Sequence, residues 1–240
     1  MRSPEAHGRA MRRRSLLAAA ATTACAVASS QAAEPGPVVI ELFTSQGCNS
    51  CPRADAALAR LAGRPDVLPL AFHVTYWDRL GWRDTLGDAR FDARQRWYAG
   101  RFGSGAYTPQ AVVAGEIDLV GSDSRLEEAS DIVRRNRMPA SIAIDDGATA
   151  ILPALDLAGE VRLTALAFDS HHRVAIGRGE NAGREIDYVN AVRSLADLGG
   201  WDGRERRVAL GAVAAGGRAL ALLAQEPATG RIVAVGRSAA

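Results

Sequence analysis

The sequence predicts an α/β domain with the element order β-α-β-α-β-β-α over residues 34–138, followed by a mainly antiparallel, β-rich region over residues 139–240. Three observations predict it. Two short and mostly apolar runs, Val38–Phe43 and Val67–Val74, flank an alanine-rich stretch with helical spacing. Helical spacing returns twice more before Pro139. Beyond Pro139 it gives way to short apolar runs cut by Gly-containing turns.

Taken in order, Pro35-Gly36-Pro37 reads as a linker and Val38–Phe43 as a buried strand. Ala54, Ala57, Leu58 and Leu61 then mark a helix that Gly63 and Pro65 end. Val67–Val74 is the second buried strand, and short connections make the three elements a parallel βαβ unit. Residues 88–102 form the next helix, with Phe91, Gln95, Tyr98 and Phe102 on one stripe. Ala111–Ala114 and Ile117–Val120 make a hairpin around Gly115-Glu116. Ser124 and Glu127 form a capping box for a helix that buries Leu126, Ala129, Ile132 and Val133. The runs Ser141–Asp145, Val161–Phe168, Val174–Ile176, Val208–Leu210, Leu220–Leu223 and Ile232–Val235 are strands, with a short helix expected in 188–198.

Residues 1–33 are set apart as a signal peptide. Arg12-Arg13-Arg14 precede the apolar run Leu16–Ala21, and Ser30-Gln31-Ala32 offers small residues where a signal peptidase reads. Arg13-Arg14-Ser15-Leu16-Leu17 also fits a twin-arginine signal. The run is shorter than the roughly 20 residues of a bilayer span, so no membrane span is expected after its removal. Without residues 1–32 the chain keeps 24 Arg against 26 acidic residues, a net charge of −2. A near-neutral protein without a basic tract does not call for nucleic acid. Its basic residues are all Arg, which excludes a P-loop lysine or a lysine Schiff base.

Removal of the signal takes Cys25 with it and leaves Cys48 and Cys51 as a C-x-x-C pair. The expected place is the periplasm or outside the cell, an oxidising compartment where such a pair has redox consequences. The pair follows a strand and opens a helix, where orphan N–H groups and the helix dipole favour a thiolate. The first cysteine of such a motif is the exposed one, which makes Cys48 the attacking thiolate and Cys51 the resolving one. A disulfide this short closes a small loop and adds little chain-entropy stabilisation as a staple.

The element order with this motif between the first strand and first helix resembles the thioredoxin fold. Thioredoxin-like proteins carry a cis-proline before the third core strand, facing the cysteines. Thr108-Pro109 stands at the matching place, so the resemblance implies a cis bond there and a Thr108 backbone that pairs with an extended substrate. The buried acid of thioredoxins has its counterpart in Glu41, a possible proton acceptor for Cys51; the alternative is a strand-end Glu that faces solvent or pairs with an Arg. Closer still, ELFTSQGCNSCPRAD, HVTYWDRLGWRD, YTPQAVVAG and GRGENAGR together resemble a family of bacterial exported proteins, domain-of-unknown-function family twelve-twenty-three. The chain departs from ordinary thioredoxin in having Gln46-Gly47-Cys48-Asn49-Ser50-Cys51 instead of Trp-Cys-Gly-Pro-Cys.

Other candidates surround this core. His73 ends the second strand, where parallel α/β folds place their sites. With Cys48 and Cys51 it could complete a copper or zinc site; alternatively it is a hydrogen-bonded core residue. Trp77, Trp82 and the charges between them either line the site and grip a partner or close a core under a long connection. Trp77 is assigned to the site and Trp97 to the core. Gly177-Arg178-Gly179-Glu180-Asn181-Ala182 matches a dinucleotide fingerprint, with Asp197 at the acidic position, but stands in a β-rich context and reads as a decoy. The functional expectation is a thiol-disulfide oxidoreductase or redox-binding protein that needs no cofactor and meets protein or small-molecule thiols and disulfides. Its rivals are a metal-binding or delivery protein and an interaction module with a structural disulfide.

Overall fold

In the computed structural model the described residues are Met1 and 34–238, apart from 122, 147 and 215. The signal segment, its arginine pattern and Cys25 lie outside them. Residues 34–138 follow the expected order: β1 (Val38–Thr44), α1 (Cys51–Leu61), β2 (Val67–His73), α2 (Ala89–Phe102), β3 (Gln110–Val113), β4 (Ile117–Val120) and α3 (Asp123–Asn136). Every residue of β1 and β2 is buried, as two-sided apolar strands require. They pair in parallel from Val38↔Val67 to Thr44↔His73, while β3 runs antiparallel to β1. The Asp88 carboxylate accepts the Arg90 N–H at 2.8 Å and caps α2, which ends at Gly103 in the left-handed region. Helix α3 begins at Asp123, so Ser124 lies inside its first turn and not at the cap expected of it.

The later strands are β5 (Ala140–Ser141), β6 (Ala143–Ile144), β7 (Thr149–Leu152), β8 (Val161–Ala175), β9 (Glu185–Trp201), β10 (Arg206–Ala209), β11 (Ala219–Gln225) and β12 (Ile232–Arg237). Two expectations are corrected here. Residues 188–198 are not a helix but the middle of β9, and the run Val174–Ile176 is largely the end of β8. The cause is visible in the register. Phe168 pairs Val192 and Ala167 pairs Ser194, so Arg193 bulges out, and Asn190 has φ +47°. A bulge shifts the period-two alternation, and the shifted pattern places Tyr188, Val192 and Leu195 at helical spacing.

A nine-stranded sheet runs β4-β3-β1-β2-β9-β8-β11-β12-β5, and β10-β7-β6 form a smaller one. The parallel contact Ala71↔Ala191 joins β2 to β9, so strands from both sides of residue 138 share one sheet. Residues from Ala33 onward form one compact unit. Alternation along the strands divides its core. Phe43, Phe72, Phe91, Tyr98, Leu166 and Leu223 fill one side of the large sheet. Ile40, Leu42 and Val113 meet Leu58 of α1 and Leu126 of α3 on the other. Trp201 anchors a third cluster between the large and small sheets.

The sheet curls until the β3–β4 turn meets the β11–β12 turn, where Ile232 N–H donates to Ala114 O at 2.9 Å. Gly115, at φ +75°, is required there: a Cβ would lie 1.9 Å from Gly230 O. Among the described residues, no helix is long and apolar enough to cross a membrane.

Candidate functional site

The chain leaves β1 at Thr44 and turns through Ser45, Gln46 and Gly47 into the cysteines. Cys48 N–H donates to Ser45 O at 3.1 Å and Cys51 N–H to Cys48 O at 3.2 Å. This tight turn brings the two Cα atoms to 5.4 Å, and a disulfide joins Cys48 to Cys51. Helix α1 starts at Cys51 with Pro52 in its first turn, where the missing N–H costs little. Both cysteines have zero relative exposure. The expectation that Cys48 is exposed is therefore corrected: neighbouring loops cover the disulfide.

Gln46 organises that cover. Its N–H donates to Asp84 Oδ2 at 2.8 Å, and its Oε1 accepts from Trp82 Nε1 at 2.8 Å. From the far end of the chain, Asn181 Nδ2 donates to Gln46 O at 2.9 Å and Cys48 O at 2.8 Å. Glu180 Oε2 accepts the Asn49 N–H at 3.3 Å. The GRGENAGR motif is thus the turn between β8 and β9, folded onto the cysteine loop. No helix follows its glycines, and Asp197 of the supposed fingerprint instead pairs with Arg162 across β8 and β9.

A buried polar cluster lies on the α1 side of the strands. Asp55 follows Cys51 by one helical turn on the same face, and its carboxylate lies beside the Thr44 hydroxyl without a hydrogen bond of normal length and angle. Burial pushes its pKa up to about 7, against the pull of His73 and the Thr44 hydroxyl, and Asp84 adds to the rise. His73 and Asp84 are fully buried and bond through Nδ1 and Oδ2 at 2.9 Å, leaving His73 Nε2 without a partner. Burial alone would raise the Asp84 pKa. The adjacent His73, with donors from Gln46 and Leu86, outweighs it and holds the carboxyl below its ordinary range. Tyr188 stands edge-on to His73, ring centroids 4.6 Å apart, with its hydroxyl buried and unpartnered. Burial, then the charges of Asp55 and Asp84, raise the pKa of that hydroxyl.

Glu41 occupies a different environment. Strand alternation turns it to the other side of the sheet from α1, with Phe43. There both its oxygens bind Arg94, one at 2.8 Å, and the Tyr98 hydroxyl donates to it at 2.5 Å. The expectation of a proton acceptor for Cys51 at Glu41 is corrected: its carboxylate is committed to Arg94, and Asp55 stands on the cysteine side. Sequence reasoning missed Asp55, Asp84 and Asn181. The one available signal was that Asp55 falls at i+4 from Cys51 on the stripe of Ala54, Leu58 and Leu61.

The Thr108–Pro109 bond is cis. A Cβ placed on Gly121 would touch Ala54, Leu42 and Pro109, so Gly121 is flanked both by Pro109 and by the first turns of α1. Trp77 Nε1 donates to Thr108 Oγ1 at 2.8 Å, and the Trp77 Cβ lies against Gly47. Gln95 Nε2 holds Tyr107 O at 2.7 Å, so α2 also fixes this segment. Trp97, expected in the core, is 38% exposed and carries Arg101 over its ring at 5.3 Å. For a metal at Cys48, Cys51 and His73, the sulfurs are bonded to each other and one His73 nitrogen is taken by Asp84. Among the described residues, no three His, Cys, Asp or Glu side chains converge as a metal-binding set.

Along α1, an open groove of about 540 Å³ runs between Pro52, Ala56 and Ala59 and residues 184–187 at the start of β9. Comparisons with known proteins place the whole arrangement. The crystal structure of protein AGR_C_4864 from Agrobacterium tumefaciens is 29% identical, covers 85% of this chain and 94% of its own, and superposes with a TM-score of 0.70. HBP35 of Porphyromonas gingivalis, at 14% identity, covers 85% of this chain and 75% of its own with a TM-score of 0.58, a likeness of fold alone. No curated protein sequence matches. A family model described as "Protein of unknown function (DUF1223)" matches residues 39–225, which is most of the chain, and the protein belongs to that family.

Proposed function

We propose that this is an exported thiol-disulfide exchange protein, built on a thioredoxin-like arrangement over residues 34–138, with Cys48 and Cys51 as its redox pair. The observation that carries the reading is Asp55: a buried carboxyl with no well-formed hydrogen bond and a pKa of about 7, one turn below Cys51. A merely structural disulfide gives no reason to keep a group that costs stability there. In the reductive direction, a partner thiolate attacks Cys48 Sγ and forms a mixed disulfide. The Cys48–Cys51 bond breaks, and Cys51 leaves as a thiolate that takes the proton held by Asp55. The partner's second thiol, losing its proton, then attacks the partner's own sulfur and releases Cys48, completing a two-electron transfer. Oxidation is the reverse.

Trp77, Thr108 and Pro109 would position the partner: Trp77 lies against Gly47 of the cysteine loop and holds the Thr108 hydroxyl. Partners are protein or small-molecule thiols and disulfides, met in the periplasm or outside the cell.

One observation favours a second reading. Zero exposure of both cysteines suits a permanent structural disulfide in an interaction module. Equilibration of the purified protein with a glutathione redox series separates the two. Exchange chemistry predicts a potential between about −270 and −120 mV, whereas a value below about −300 mV favours the staple.

A further inference from the structure

Resting on that reading, we propose that the turn Gly177–Arg184 is an autoinhibitory cap. It occupies the face of the cysteine loop that a polypeptide partner must reach, with Asn181 as its latch.

The cap engages the loop through the groups an extended chain would use. Asn181 Nδ2 satisfies the carbonyls of Gln46 and Cys48, and Glu180 takes the Asn49 N–H. Lifting the turn frees two acceptors and one donor of the backbone beside Cys48, the set that an incoming polypeptide strand pairs with. The groove along α1 borders the cap at Arg184 and ends at Pro52, the residue after Cys51.

The turn is built to move as a unit. Its own hydrogen bonds run within the turn or to the flanking Ile176: Gly183 N–H to Ile176 O at 2.8 Å, Ala182 N–H to Gly179 O at 3.2 Å and Arg184 N–H to Asn181 O at 3.1 Å. Those survive opening. What holds the cap down is the Asn181 amide, the Glu180 carboxylate and the packing of Gly177 and Gly179 on Trp82. The latch is also imperfect. Asn181 is 1% exposed, yet its Oδ1 has no hydrogen-bond partner. A buried oxygen left unsatisfied opposes closure and regains water on opening. The cap is thus held shut by two good donor bonds against a standing cost, a balance suited to opening by a competing partner.

The test follows the rate at which dithiothreitol, becoming a cyclic disulfide, converts Cys48–Cys51 to two thiols. Asn181→Ala removes both latch bonds and should speed reduction about thirtyfold, the equivalent of roughly two ordinary hydrogen bonds. Glu180→Ala alters an exposed side chain that cannot compromise folding and should give a smaller rise, about two- to threefold. Reduction of both variants at the wild-type rate would overturn the cap. The equilibrium potential is a separate readout: accelerated variants with a potential below about −300 mV would sink the exchange reading and leave the cap standing.

Discussion

On one side of the large sheet, Glu41, Arg94, Tyr98 and Gln225 satisfy one another; on the α1 side, Thr44, Asp55 and His73 each keep a buried polar atom without a partner. The two clusters lie within a few residues of each other along β1 and are equally dry. Burial works against the Arg94 charge, but Glu41 beside it outweighs this and keeps the guanidinium charged. Arg94 also lies over the Tyr98 ring at 5.2 Å, and Gln225 Nε2 reaches back to Gly230 O at 2.6 Å. That cluster therefore clamps α2 to β1 and to the β11–β12 turn. The other cluster clamps little. Its groups are placed under a disulfide, and one of them has a proton to give near neutral pH. Completed polar networks hold folds together; uncompleted ones in the same core mark where chemistry is expected.

The sharpest way to break this comparison is to remove one charge from the complete cluster. Glu41→Gln leaves Arg94 buried without a counter-charge and should cost about 3–5 kcal/mol in denaturant unfolding. The reduction potential of the folded fraction should stay at the wild-type value, because Glu41 faces away from the cysteines.

The incomplete cluster predicts the opposite sign. Asp55 has a folded pKa of about 7, above its ordinary 3.8, so the native state holds the proton more tightly than the unfolded chain. Its contribution to stability therefore falls as pH rises from about 4 to about 7, then levels off. Asp55→Asn removes that part of the slope, and at pH 8 the oxidised variant should be more stable than wild type by up to about 4 kcal/mol. Unfolding midpoints at pH 5 and pH 8 check it; an unchanged difference between the two proteins would mean that Asp55 is not held protonated.

How much of this was legible in sequence follows the range of the interactions. The order of elements through α3 depends on local apolar spacing, and Val38–Phe43, Val67–Val74 and Phe91/Gln95/Tyr98 declare it. The cysteine pair at a helix start and the Thr108-Pro109 step were readable from motif and resemblance. Asp84 and Asn181 were not, because their meaning lies in contacts across 38 and 133 residues to Gln46 and Cys48. Nothing local in the sequence tells Asp55 from a solvent-facing helix residue; only the closeness of β1, β2 and β9 makes it dry. The two readings of Glu41 stayed open because sequence position along a strand does not say which face carries the partner, and Arg94, which decides for the Arg pair, is 53 residues away. The helix expected over 188–198 failed at one bulged residue, Arg193.

The central claim is that Cys48 exchanges thiols. Cys51→Ala exposes it most directly, because the resolving sulfur is gone and any mixed disulfide must persist. Prepared without residues 1–33, which hold Cys25, then incubated folded with oxidised glutathione and weighed by intact mass spectrometry, this variant should carry one glutathione per chain, on Cys48. A folded Cys51→Ala protein that stays unmodified while a free thiol control reacts would contradict the account and leave Cys48–Cys51 as a staple.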